Sequence, residues 1–429
     1  MNRKVISSLI LFLFISSLFQ AQSSTDLLLK LKSIKEIAEI KPTSIGSSFT
    51  EGYEIFITQP LDHKNPNAQT FTQRIFLSHV DYEKPVVLIT EGYSANYNYK
   101  SELSQILGAN QIIVEHRYFG KSVPAPLDWK YLDIEQAAGD HHSIVQIFKT
   151  IYPEKWINTG ISKGGQTTLY HRKFYPNDVD VSVPYVAPIN VSQEDPRIYI
   201  FLNSVGTEEC RNKIKEFQRA FLSRRDEIIP MMMLDAEKNN KRFFFDFETL
   251  FEYWVLEYSF SFWQWGQKCE DIPSTTATAK ELFEYMKKAN SYEYFTEESM
   301  KGFGSFFVQA YNEIGYYGYD LTDFKDLLKE IKDGSNIVLV PEGAEINYNC
   351  KPIQDVNTWL QKKGNNIIYI YGGNDTWTAT AVQLTGETNA VKMVKKNGSH
   401  TTRIASFEGE EKELIYSTLE KWLNLKIER

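Results

Sequence analysis

The sequence predicts an α/β fold: a mostly parallel sheet covered by helices, with a helical cap inserted into it. Three observations carry this. From about Ser47 to Ala187, β-rich runs alternate with helical ones, the pattern of a parallel sheet with helices packed on it. From about Val191 to Gly334 no comparable strand is legible, and the runs are helix-compatible and rich in Glu, Lys, Leu and Phe. From Ser335 to Arg429 the alternation returns. A sheet that stops, yields to helices and resumes is most simply one sheet with an insertion. The chain therefore divides into a leader at 1–22, a first core part at 23–190, a cap at 191–335 and a second core part at 336–429.

Met1-Asn2-Arg3-Lys4 is a positive start, Val5 to Phe19 an apolar run, and Gln20-Ala21-Gln22-Ser23 a cleavage region, so residues 1–22 read as a secretory signal peptide. The apolar run is short for a spanning helix, which needs ~20 residues, so no stable membrane insertion is expected after cleavage. Tyr53–Ile57, Phe71–Val80, Val86–Thr90, Gln111–Glu115 and Trp156–Thr159 are rich in β-branched and aromatic residues and read as strands. Ile134 to Tyr152 and Gln166 to Phe174 carry the helical pattern. In the second core part, strands are expected at Ile337–Val340, Ile367–Tyr371 and Ala390–Val394, then a closing helix from Phe407 to Leu423.

Composition narrows the function. Hydrophobic residues make up 42% and charged residues 24% of the 429, the balance of a globular chain with a core. The formal charge of −8 argues against a nucleic-acid partner, which calls for a surplus of Lys and Arg. Aromatic residues concentrate in the cap, 29 of 144 from Val191 to Gly334, which suits a ring-lined cavity. Cys210, Cys269 and Cys350 are too few and too scattered for a zinc site. In an exported chain Cys210 can join Cys269, although the sequence does not fix that pairing. No metal or organic cofactor is implied.

The chemistry starts at Gly160-Ile161-Ser162-Lys163-Gly164, a G-x-S-x-G turn between a strand and a helix. The small residues let strand and helix approach while the serine sits in a strained turn, exposed to attack a substrate. A serine hydroxyl needs a base, and the base needs a carboxylate to hold its tautomer, in the chain order Ser, Asp or Glu, His. Of the seven histidines only His171 and His400 follow Ser162. His171 lies in the helix leaving the turn, so His400, in a glycine-containing loop after a strand, is the expected base. Asp375, just past the strand Ile367–Tyr371 and 25 residues before His400, is the expected acid. Two N–H donors should stabilise the oxyanion: Lys163, next to the nucleophile, and Tyr93, in the loop after Val86–Thr90. His116 and Arg117 are expected to brace the sheet near the site.

The run His116-Arg117-Tyr118-Phe119-Gly120-Lys121-Ser122, the stretch Tyr131 to Ala137 and the elbow Gly160 to Gly165 resemble the secreted bacterial tripeptidyl aminopeptidase family of serine peptidases. The likeness extends to Thr58–His63, Tyr258–Gly266 and Asn312–Tyr317, and more distantly to the prolyl carboxypeptidase and dipeptidyl-peptidase II family. The resemblance implies an α/β-hydrolase fold with a helical cap, a Ser-Asp-His triad, and release of short peptides from free N-termini. One departure is Lys163, where the distant prolyl family usually has an aromatic residue, which weakens transfer of that family's proline preference.

An exopeptidase has to hold a charged terminus, and a free α-ammonium is best held by carboxylates in a low-dielectric pocket. Phe243 to Trp265 contains twelve aromatics and four acids, Asp246, Glu248, Glu252 and Glu257. Glu313 or Glu252 is the expected amine ligand. An esterase or lipase with the same triad is the alternative enzyme, though its neutral acyl pocket gains nothing from buried acids. A prolyl-type carboxypeptidase is the other, and it needs a cation such as Arg403 for the substrate carboxylate.

Overall fold

The computed structural model describes residues 26–429 except Pro66 and Ala68, so the expected leader, 1–22, lies outside the described residues. Among the described residues nine strands form one sheet: β1 (Ile37–Pro42), β2 (Glu51–Pro60), β3 (Thr70–His79), β4 (Val86–Thr90), β5 (Asn110–Val114), β6 (Trp156–Ile161), β7 (Val181–Tyr185), β8 (Ile368–Gly372) and β9 (Val391–Lys395). Their order is β1-β2-β3-β5-β4-β6-β7-β8-β9. The first three strands and β5 pair antiparallel in sequence across the sheet, and every pairing from β5 through β4 to β9 is parallel.

The α-helices around the sheet include α1 (Glu102–Leu107), α2 (Ile134–Lys149), α3 (Lys163–Phe174), α4 (Arg197–Leu202), α5 (Glu208–Leu222), α6 (Arg225–Lys238), α7 (Phe247–Trp265), α8 (Ala279–Ala289), α9 (Glu297–Gln309), α10 (Lys351–Lys363) and α11 (Gly409–Leu423). Alternating side chains of the central strands feed two cores, as a period of two demands. Val87 and Ile89 of β4 face Ile415 and Leu419 of α11, whereas Val86 and Leu88 face Ile144 and Phe148 of α2. Helices on both faces explain why β4 to β8 are buried along nearly their whole length rather than on alternate residues.

Helices α4 to α9 fall between β7 and β8, the span read from the sequence as a cap. Its centre is α7, capped at its start by Asp246, which accepts from the N–H groups of Glu248 and Thr249, and ended by Gly266 at φ 69°. Twelve of its 19 residues are buried, Phe251, Trp254 and Tyr258 among them, so most of its aromatic load is the cap's own core. The disulfide Cys210–Cys269 ties α5 to the turn after α7, with its Cα atoms 5.6 Å apart, and Cys350 is a free thiol.

Most expected elements appear within two or three residues of their sequence bounds. The strand expected at Ile337–Val340 does not form: Ile337–Leu339 is a single 3-10 turn. Only Leu339 of that run is buried, Ile337 and Val338 each being 43% exposed, so the apolar run has no sheet to enter. Pro341 follows, lacking an N–H for a ladder, and Glu194 holds the preceding Ser335 and Asn336 by accepting from the hydroxyl at 2.6 Å and the N–H at 3.1 Å. Strands β1 and β7 and helix α1 are additions to the expected pattern.

Candidate active site

The carboxyl ends of the parallel strands build the site: Gly92 and Tyr93 follow β4, Ser162 follows β6, Asp375 follows β8 and His400 follows β9. Loops at that end of such a sheet form the crevice where ligands bind. Ser162 sits at φ 58°, ψ −123°, a conformation that costs a non-glycine residue on the order of 1–3 kcal/mol. The surroundings enforce it. Its N–H donates to Tyr185 O at 2.9 Å. A Cβ at Gly164 would lie 2.6 Å from Thr90 O, and one at Gly160 would meet the same oxygen at 2.6 Å, so only glycines let α3 close down on β4 and β6. Thr90 ties the three together, its hydroxyl lying 2.9 Å from Gly164 O, 3.2 Å from Thr159 O and 2.7 Å from Thr168 Oγ1.

Asp375 is fully buried and does two things. Its Oδ1 accepts from the N–H of Trp377 at 3.2 Å, capping the 3-10 turn Thr376–Thr380, and its Oδ2 lies 2.8 Å from His400 Nδ1. A carboxylate only accepts, so Nδ1 carries the proton and Nε2 is left with its lone pair. The cap steadies the imidazole from the other side: His400 N–H donates to Gln264 O at 2.8 Å, and the Trp265 ring stands edge-on to it with centroids 5.8 Å apart. Ser162 and His400 both line one cavity of about 1140 Å³ between sheet and cap, with Tyr93, Phe303, Phe306 and Trp377 among its rings. The sequence-named aspartate and histidine are thus joined, and the serine opens onto the same cavity as the histidine.

Lys163 and Tyr93 also meet here. Gly92 is packed against the Ser162 turn so closely that a Cβ on it would lie 2.6 Å from Gly164 N, which sets the Tyr93 backbone beside that turn. The Lys163 ammonium, buried behind the site, donates to Gly92 O at 2.7 Å and lies over the Phe119 ring, 5.0 Å from its centroid. Burial pushes this amine well below its ordinary range, and Glu313 opposes that push. The clamp between Lys163 and Gly92 is invisible in the sequence, where Lys163 reads as a backbone donor alone.

The two expected amine ligands are corrected. Glu252 is fully buried inside the cap, bound to Arg225 and accepting from the N–H groups of Lys329 at 2.6 Å and Ile331 at 2.8 Å. Its oxygens are spent on the cap's own architecture. Glu313, at the end of the π-turn Ala310–Ile314, turns toward the start of α2, where it accepts from Ile134 N–H at 2.9 Å, and it does not line the cavity. The cap acid that does reach the cavity is Glu257, with Glu293 at its rim. Arg117, buried just past β5 in the interior of the sheet, forks onto Asp140 of α2 at 2.7 and 2.8 Å and donates to the carbonyls of Leu61, just past β2, and Tyr131. His171 is buried against Asp178, 2.9 Å away.

Burial, with Asp133 adding, pushes the Glu313 carboxyl up to about 8, against the opposing pulls of Ile134 N–H and Lys163. A raised folded value means the folded state holds this proton more tightly. Its contribution to stability is full below the ordinary 4.5 and is lost as pH rises through about 8. Glu313→Gln, which keeps the acceptor for Ile134, should therefore match wild type in the unfolding free energy from urea titration at pH 4.5 and exceed it at pH 8.5, by on the order of a few kcal/mol. Parallel curves for the two proteins across that range would refute the assignment.

A nine-stranded, mostly parallel sheet flanked by helices, with a serine on a positive-φ strand-to-helix turn, defines an α/β-hydrolase. The family model described as PS-10 peptidase S37 matches residues 21–425, so the chain belongs to that family and is a serine peptidase. It is 32% identical over 409 residues to the prolyl tri/tetrapeptidyl aminopeptidase of Streptomyces mobaraensis, an alignment covering 92% of this chain and 84% of that protein. The human lysosomal Pro-X carboxypeptidase is 26% identical over 39% of this chain and 38% of its own length. Among solved structures, acetyl xylan esterase 1 from Thermoanaerobacterium sp. JW/SL YS485 aligns over 94% of this chain and 93% of its own, at 12% identity and TM-score 0.39. The expected likeness to the tripeptidyl aminopeptidase family and, more weakly, to the prolyl carboxypeptidases is therefore present.

Proposed function

We propose that this chain is an exported serine exopeptidase that releases short peptides, tripeptides foremost, from free N-termini. Residues 191–335 act as the cap that roofs the site. Ser162 Oγ attacks the scissile carbonyl carbon while His400 Nε2 takes its proton, and Asp375 stabilises the resulting imidazolium. The N–H groups of Lys163 and Tyr93 receive the oxyanion. Collapse breaks the C–N bond as His400 returns the proton to the leaving amine, and water then releases the acyl group by the same steps in reverse.

The observation that carries this reading is the shared cavity: serine, histidine and a cap carboxylate face one ring-lined space, closed behind by the cap. The Streptomyces relative's name points the same way. Export rests on the charged, apolar leader and on a disulfide, which persists in an oxidising compartment. Among the described residues no helix is long and apolar enough to cross a membrane.

The test is mass spectrometry of a free-amine peptide of mixed sequence, beside its N-acetylated copy, after incubation with purified protein. Release of N-terminal fragments from the free-amine copy alone is expected. Cleavage of neither copy, with hydrolysis of a simple ester intact, would give the esterase reading first place.

A further inference from the structure

We propose that Glu257 receives the α-ammonium of the substrate and that α7 is the ruler that sets how many residues are removed, an inference that rests on the exopeptidase reading above. Helix α7 lines the cavity with Glu257, Phe260, Ser261, Gln264 and Trp265. That spacing of i, i+3, i+4, i+7 and i+8 is a single helical face. At one end of the face, Gln264 and Trp265 touch His400. At the other stands Glu257.

The surroundings of Glu257 are those of an anion without a counter-charge. Its Oε1 accepts from the Ser261 hydroxyl at 2.6 Å, and its Oε2 accepts from the hydroxyls of Tyr317 and Tyr319, each at 2.8 Å. Three neutral donors orient the carboxylate, and among the described residues no Lys or Arg forms an ion pair with it. Glu252 shows the contrast: an acid of the same helix with a structural role has Arg225 as its partner. Burial pushes the Glu257 carboxyl up, so an arriving ammonium would supply the missing charge in a low-dielectric setting where it counts most. The other acids of the cavity fit less well. Glu91 follows β4 directly, beside the oxyanion loop and so close to the scissile bond, and Glu293 is half-exposed at the rim.

Distance gives the length. The seven residues from Glu257 to Gln264 advance about 10.5 Å along the helix. An extended peptide advances ~3.3 Å per residue, so about three residues fit between an ammonium at Glu257 and a carbonyl beside His400.

The test crosses two changes. A tripeptide p-nitroanilide and its des-amino copy, with the α-amino group replaced by hydrogen, are each assayed with wild type and with Glu257→Gln, which keeps the shape and one acceptor oxygen for the hydroxyls but loses the charge. Wild type should prefer the free amine in kcat/KM by about ten- to a hundredfold, the worth of one charge-assisted hydrogen bond, and Glu257→Gln should reduce that preference to within about threefold. A variant that retains the full preference would overturn the proposal. Should Glu257→Gln not fold, Glu257→Asp decides: withdrawing the carboxylate by one methylene should shift products from tripeptides toward tetrapeptides, and an unchanged product length would overturn the ruler. Failure of the underlying peptidase reading has a different signature, a wild-type protein that takes no fluorophosphonate label at Ser162 and cleaves neither substrate.

Discussion

Replacing Ser162 by Ala is expected to lower kcat on a free-amine tripeptide substrate by about 10⁴- to 10⁶-fold, with KM nearly unchanged and fluorophosphonate labelling abolished. The loss is confined to chemistry because everything else at this position belongs to the backbone. The N–H that donates to Tyr185 O remains, the φ of 58° is no worse for Ala than for Ser, and the glycine contacts that force the turn are untouched. The melting temperature should therefore stay within a few degrees of wild type. What survives is the oxyanion hole and substrate binding, which account for the residual rate over water. Adding His400→Ala should cost little more, since a base without its nucleophile has no proton to take. A Ser162→Ala protein with more than about 1% of wild-type kcat would place the nucleophile elsewhere.

The proposed catalytic residues were legible in the sequence because strand-end chemistry leaves local marks. Ser162 announces itself by the glycines that let α3 meet β6, and Asp375 and His400 by standing just past apolar strands in the required order. Amine recognition left no such mark. Four acids crowd the stretch from Phe243 to Trp265, and only the phase of α7 separates Glu257, on the face of Phe260, Ser261, Gln264 and Trp265, from Glu252, five residues away and rotated by about 140° into the cap core. Sequence periodicity could not choose the face, because α7 is apolar almost all round. Glu313 misled for another reason: Ile314, Gly315 and Tyr316 do reach the pocket behind Ser162, but the π-turn that delivers them points Glu313 at α2. The apolar run Ile337–Val340 failed as a strand because four residues cannot report whether a sheet edge is there to receive them.

Asp375→Asn should lower kcat by about 10⁴-fold while leaving the fold intact. The two functions of this side chain separate cleanly in that substitution. Oδ1, which accepts from Trp377 N–H and caps the turn Thr376–Thr380, is retained as the amide oxygen, so the loop keeps its start. Oδ2, 2.8 Å from His400 Nδ1, becomes an NH₂ group that can only donate. Two donors cannot face each other, so the neutral imidazole must move its proton to Nε2 and present Nδ1 to the amide as an acceptor. Nε2–H then confronts the Ser162 hydroxyl and cannot take its proton. Asp375→Ala should behave differently, because it loses the cap as well: a comparable drop in kcat, joined by a fall in stability of ~1 kcal/mol from the uncapped turn. Rate against pH supplies the check. Loss of the carboxylate removes the charge that favours imidazolium, so the Asn variant should regain activity only at high pH, where hydroxide can replace the missing base; a variant that keeps the wild-type profile at one-tenth the rate or more would assign the orienting carboxylate to another residue.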